Sequence, residues 1–167
     1  MNRTDIQAAL RFCDSYSRLP TLMDLHQPES TDLSAWFLTL GEEWSCCDNI
    51  WRFRAELSEI LRNASPEHRA LMMTQEERDT LDSLPDVITI YRGCYPWNDA
   101  GLSWSLSRDI AASFPRLMRY HHPEHEAFVY EATANKRDCI LKLDRGEREI
   151  ICWSREYQNH YSLEVAQ

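Results

Sequence analysis

The chain has 167 residues, 43% of them hydrophobic and 11% aromatic, with a formal net charge of −9. That length and apolar content fit a folded chain with a real core, not a disordered one. The acidic balance argues against a broad basic surface for nucleic acid or an anionic membrane, and no apolar run reaches the length of a membrane span.

The N-terminal half has helical periodicity. Ile6, Ala9, Leu10, Cys13 and Tyr16 follow i, i+3, i+4, i+7 spacing behind the cap candidates Thr4 and Asp5. The opening Met1-Asn2-Arg3-Thr4-Asp5 lacks the apolar core of a signal peptide, so a cytoplasmic location is expected. Trp36, Trp44 and Trp51 stand at helix-compatible spacings and read as core. Ile50, Phe53, Leu57, Ile60 and Leu61 predict a helix ending before Asn63. Ser65-Pro66-Glu67 supplies a cap with proline at the first helical position, and Thr74-Gln75-Glu76-Glu77 is a capping box.

Near Pro85 the pattern changes to short strands. Val87–Tyr91, Phe128–Glu131, Cys139–Leu141 and Ile150–Trp153 are β-branched or aromatic runs, and Tyr161–Val165 is a candidate last strand. One helix interrupts them. Ser107 caps it, Asp109 suits its first turn, and Ile110, Phe114 and Leu117 form its buried stripe, with Pro115 keeping it short or kinked. The expected fold class is therefore α+β, with a helical subdomain over residues 1–85 and a β-rich core over 86–167. The six cysteines (13, 46, 47, 94, 139 and 152) form no CxxC pair, and several lie on apolar stripes, as reduced packed thiols do.

Three stretches of the β half carry groups suited to chemistry. Tyr91-Arg92-Gly93 ends an apolar strand with a permanently charged fork and a residue that allows close backbone approach. In Gly101-Leu102-Ser103-Trp104-Ser105-Leu106-Ser107 the hydroxyls alternate with apolar residues, giving one face able to orient a carboxylate or hold a sugar. Gly146-Glu147-Arg148-Glu149-Ile150-Ile151 starts a strand with two carboxylates at i and i+2, which on a regular strand share a face. The plainer alternatives are an arginine reaching solvent, an amphipathic strand and a solvated acidic face.

Taken in order, strand-Arg-Gly, Ser-x-Ser before a helix, and Glu-x-Glu before two aliphatics, the chain resembles the R-S-E class of mono-ADP-ribosyltransferases. That class includes arginine-directed toxins, vertebrate ecto-enzymes and phage enzymes that modify host proteins. The resemblance rests on Tyr91-Arg92-Gly93, Ser103-Trp104-Ser105-Leu106 and Glu147-Arg148-Glu149-Ile150-Ile151, with the helix Arg108–Phe114 in support, and it covers about half the chain. It implies a split β-sandwich and an enzyme that uses NAD as substrate and transfers ADP-ribose to a macromolecule, protein arginine being favoured. By the same resemblance Glu149 stabilises positive charge on the nicotinamide ribose, and Glu147 meets the acceptor nucleophile. Ser103 orients Glu149, Arg92 clamps phosphate, the Gly93 backbone faces the nicotinamide amide, and Tyr91 and Ser105 complete the NAD site. Arg116 and Arg119 are candidate extra phosphate contacts.

The sequence departs from the pattern in three ways. Trp104 stands where the class usually has threonine, the connection from Arg92 to Ser103 is short, and the turn Leu143–Gly146 lacks the aromatic residue often found in the acceptor-recognising loop. A host protein is the expected acceptor, the charge of −9 disfavours a nucleic acid, and residues 1–85 are a candidate surface for an antitoxin or other protein. The alternatives are an NAD glycohydrolase and a catalytically inactive interaction or inhibitor protein on the same fold. No metal is expected: His121-His122-Pro123-Glu124-His125 has no spaced partner cluster and reads as a flexible polar loop.

Overall fold

The structure, a computed structural model, describes residues 1–118, 120–146 and 148–163, with only the backbone at Arg145. Glu147, Arg119 and Val165, three positions singled out from the sequence, lie outside the described residues. The chain is mixed α/β and divides into two compact units, Met1–Arg78 and Asp79–Gln167.

The first unit is helical. α1 (Arg3–Leu10) starts at Asn2, not at Thr4 or Asp5, because Asn2 and Asp5 bond reciprocally across the first turn. It also stops early: Leu10 is its last buried residue, Tyr16 is exposed, and Cys13 bonds back to the Ala9 carbonyl beyond the helix end. Two further helices, α2 (Arg18–Asp24) and α3 (Leu33–Glu43), carry most of the core. Trp36, Phe37, Leu40 and Trp44 are buried with Leu19 and Leu22, and the Trp36 indole donates to the Leu22 carbonyl at 2.7 Å. A buried indole needs such an acceptor, so the α2–α3 packing is set by a polar contact as well as by shape.

α4 (Arg54–Asn63) buries Leu57 and Leu61, while Ile50 and Phe53 form a 3-10 turn before it. Trp51 lies in that turn, half-buried under Arg54, and so differs from the fully buried Trp36 and Trp44. α5 (Pro66–Leu71) begins at Ser65, whose hydroxyl accepts from His68 N–H. Gly41 of α3 faces Met72 at the end of α5, where a Cβ would collide with the Met72 backbone. α6 (Gln75–Ser83) spans the division between the units, and its start is closed by reciprocal Thr74–Glu77 bonds of 2.8 and 3.2 Å.

The second unit is built on a six-stranded sheet in which every pairing is antiparallel. Its strands are β1 (Val87–Cys94), β2 (Ser103–Ser105), β3 (Ala127–Asn135), β4 (Cys139–Lys142), β5 (Glu149–Cys152) and β6 (Glu156–Leu163), arranged β4-β5-β2-β1-β3-β6. β1 and β3 pair over their full shared length, from Val87 opposite Asn135 to Cys94 opposite Phe128. Ile88 and Ile90 on one face lie against Ala134 and Ala132, all four buried, as alternation requires. α7 (Arg108–Ser113) follows β2 and is capped by the Ser107 hydroxyl. The turn Phe114–Arg116 ends it, since Pro115 cannot continue the α-helical bonding. β6 begins at Glu156, five residues before the Tyr161 start expected from the sequence. It is an edge strand exposed on both faces, so it lacks the apolar alternation that marks a half-buried strand.

Candidate functional site

β5 begins at Glu149, and Arg148 before it has φ 47, a left-handed conformation. Regular strand alternation is therefore described only from Glu149 onward, and Glu147, expected on the same face, lies outside the described residues. Glu149 is paired directly with Ser105 of β2, and Ser105 with Tyr91 of β1. The same row continues to Glu131 and Asn159 on one side and to Lys142 on the other. Lys142, Glu149, Ser105, Tyr91, Glu131 and Asn159 thus occupy corresponding positions on all six strands. Directly opposed residues share a face, with Cβ atoms about 5 Å apart. It is a polar row that runs across the whole width of the sheet.

This row brings together three of the residues expected from the sequence: Tyr91, Ser105 and Glu149. Ser105 is buried, its hydroxyl accepting from Ser107 N–H at 3.0 Å, while Tyr91 and Glu149 are half-buried. Ser103 is opposite Ile151, one pair along on the same face and diagonal to Glu149. The position beside Glu149 belongs to Ser105, and Ser103 extends the hydroxyl face from there.

Arg92 and Gly93 are placed differently from the expectation of a strand end open to a ligand. β1 continues through both to Cys94. Arg92 alternates with Tyr91 and so projects from the opposite face to Glu149. Its Nε and Nη2 donate to the Asn98 carbonyl at 3.2 and 3.1 Å, and Nη1 donates to the Ser103 carbonyl. The guanidinium also fills the space beside Gly101, where a Cβ would collide with it. Arg92 therefore fastens the β1–β2 connection, which is why that connection can be short. The close approach that Gly93 permits is made by α7: a Cβ there would collide with the Ala111 carbonyl and meet Pro115 Cδ at 3.0 Å.

Next to these residues burial pushes the Cys94 thiol up to about 11, so it stays protonated at neutral pH. Arg116 follows Pro115 in the turn after α7 and is exposed. The stretch containing His121, His122 and His125 is held by aromatic packing, which the sequence did not suggest. The Tyr95 and Trp97 rings stack at 4.8 Å, His122 and His125 meet Trp97 edge-on, and His122 N–H donates to the Tyr95 hydroxyl at 2.8 Å. Among the described residues no group of three or more His, Cys, Asp or Glu could hold a metal ion.

Lys142, like Glu131 and Asn159, is a member of the row that the sequence did not single out, and of the three it is the buried one. It is 4% exposed, with its Nζ 4.0 Å from an Asp144 carboxylate oxygen. The signal was present as a lysine directly continuing the apolar run Cys139-Ile140-Leu141.

Chemically, the row offers a carboxylate flanked by a hydroxyl and an ammonium, with a phenol one strand further on. Such a set can hold a polyol and stabilise a positive charge developing beside it. No family model, curated protein or solved structure matches this chain.

Proposed function

We propose that this protein is a mono-ADP-ribosyltransferase of the R-S-E type, cleaving NAD and transferring ADP-ribose to a macromolecular acceptor, with protein arginine favoured. The observation that carries the reading is the Tyr91–Ser105–Glu149 row. Three separate motifs supply neighbouring strands, and Tyr91 of the first, Ser105 of the second and Glu149 of the third share one face. In this reading the six-stranded sheet is the core of the split sandwich of that class. The protein acts in the cytoplasm of a bacterial or infected cell, in keeping with a phage or toxin origin.

The donor set suits the ribose end of NAD. Cleavage at the nicotinamide–ribose bond develops positive charge on the sugar, and Glu149 would meet that charge with its carboxylate. Ser105 would fix the carboxylate's direction, and Ser103 and Tyr91 would hold hydroxyl groups along the same face. Glu147 would receive or orient the acceptor nucleophile. The phosphate end fits less well, because Arg92 bonds the Asn98 and Ser103 carbonyls. A phosphate role for Arg92 requires those bonds to exchange for the ligand's oxygens. Residues 1–85 are then the candidate surface for an acceptor or an antitoxin.

The test is labelled NAD incubated with purified protein and host lysate. Wild type should transfer label to a macromolecule and release nicotinamide, and Glu149→Gln should reduce both by a hundredfold or more, on the scale of losing one preorganised transition-state contact. No transfer and no nicotinamide release by wild type would sink the reading. Glu147→Ala should lower transfer more than NAD hydrolysis. Nicotinamide release with no modified macromolecule would select the glycohydrolase instead, and cellular activity that survives Glu149→Gln would select an interaction protein.

A further inference from the structure

Lys142 closes the short strand β4 after Cys139, Ile140 and Leu141, all of them buried. Its side chain is 5% exposed, an unusual state for a lysine. An ammonium taken this far from water needs opposite charge and hydrogen-bond acceptors around it. The ladder places Glu149 directly opposite, on the same face. Asp144, in the turn after β4, brings a further carboxylate, its side chain 48% exposed and its oxygen 4.0 Å from Nζ.

We propose that Lys142 is a positioning residue of the Glu149 site, its ammonium keeping the Glu149 carboxylate ionised and fixed in direction on the face shared with Ser105 and Tyr91. The proposal rests on the reading of Glu149 as the carboxylate that meets ribosyl charge. A half-buried carboxylate without a cationic neighbour drifts towards its neutral acid, which cannot stabilise a cation. Ser105 can orient one oxygen of Glu149 but brings no charge, and Arg92 projects from the other face. Lys142 is the cation that shares both the row and the face with Glu149. Among the described residues, Asp144 from the turn and, further along the row, Tyr91 and Glu131 bring charged or titratable groups to this pair.

The experiment is a 13C NMR titration of glutamate side-chain carboxyls in the full chain, with the Glu149 signal assigned by its loss in Glu149→Gln. Lys142→Met should raise the Glu149 midpoint by about one pH unit or more, and Lys142→Arg should leave it near the wild-type value. An unchanged midpoint in folded Lys142→Met overturns the proposal. So does a shift that appears at Asp144 and not at Glu149. If Lys142→Met does not fold, the reciprocal measurement decides. In Glu149→Gln the Lys142 ammonium protons should exchange with water severalfold faster than in wild type, and no change overturns the proposal. In the NAD assay Lys142→Met should move the acidic limb of kcat to higher pH by the same amount as the carboxyl midpoint, with KM little altered. A wild type that does not cleave NAD defeats the functional reading, while the titrations still decide the pairing of Lys142 with Glu149.

Discussion

A backbone carbonyl from α7 occupies the place where Gly93 would otherwise carry a side chain. Gly93→Ala should therefore cost about 1–3 kcal/mol, read as a lower denaturant midpoint, because neither Ala111 nor the Pro115 ring is a flexible side-chain end. Its neighbour Cys94 links folding to pH. Burial raises the thiol from its ordinary 9.0 to about 11, so the native state retains a proton that the unfolded chain releases first. The stabilisation from Cys94 is complete below pH 9 and is lost as pH rises through 11. Its slope approaches about 1.4 kcal/mol per pH unit in between. Urea midpoints measured at pH 8 and pH 10.5 should differ less in Cys94→Ala than in wild type. At this scale alternation along a strand made the shared face of Ser103 and Ser105 legible, but which residues of β1 and β5 lie beside Ser105 follows from pairing, which the sequence does not record. The contacts of Arg92 and the burial of Lys142 were not legible, because both depend on how the next turn or strand folds back, which alternation along a single strand does not record.

Elements were legible where their signals are local. The Thr74–Glu77 box and the Ser65–Pro66 start both need only four residues, and both form as written. Thr74→Ala removes the hydroxyl that accepts from Glu77 N–H and should lower stability by about 1 kcal/mol, measurable in a urea melt. α2 and α3 escaped notice even though they hold the core. α3 is buried over most of its circumference, from Ala35 and Trp36 to Leu40 and Gly41, and a helix buried all round lacks a clear polar stripe. β1 and β3 extend beyond their apolar runs because each supplies the other's hydrogen bonds, a stabilisation absent from either segment alone. The 3-10 turn at Ile50–Phe53 has spacing compatible with the helix that follows, so periodicity merged the two.

For the whole molecule, the change from helical to strand character near Pro85 was readable, but the strand order was not. Placing β5 between β4 and β2 joins segments more than forty residues apart, and single-strand patterns carry no record of their partner. The cysteines give a global check on the fold. All six are free; Cys46 is exposed and Cys13 partly so, while Cys47, Cys94, Cys139 and Cys152 are buried. A thiol reagent should modify Cys46 at once and Cys13 more slowly, with the other four reacting only on unfolding. Rapid modification of four or more thiols in the native protein would contradict this packing. Burial pushes Cys47 up to about 12, so mild alkali alone should not make it reactive.

The Arg92 fastening sets two demands against each other. The bonds that order residues 98–103 use donors that an incoming anion would also seek. Any anion that takes them must first release the connection, so its apparent affinity is reduced by the free energy of that release. The relation is reciprocal: whatever tightens the connection weakens the anion, and whatever loosens it strengthens the anion. A single guanidinium thus makes the order of a loop and the capture of a ligand competing outcomes, and Gly101, by leaving room for it, helps set the balance.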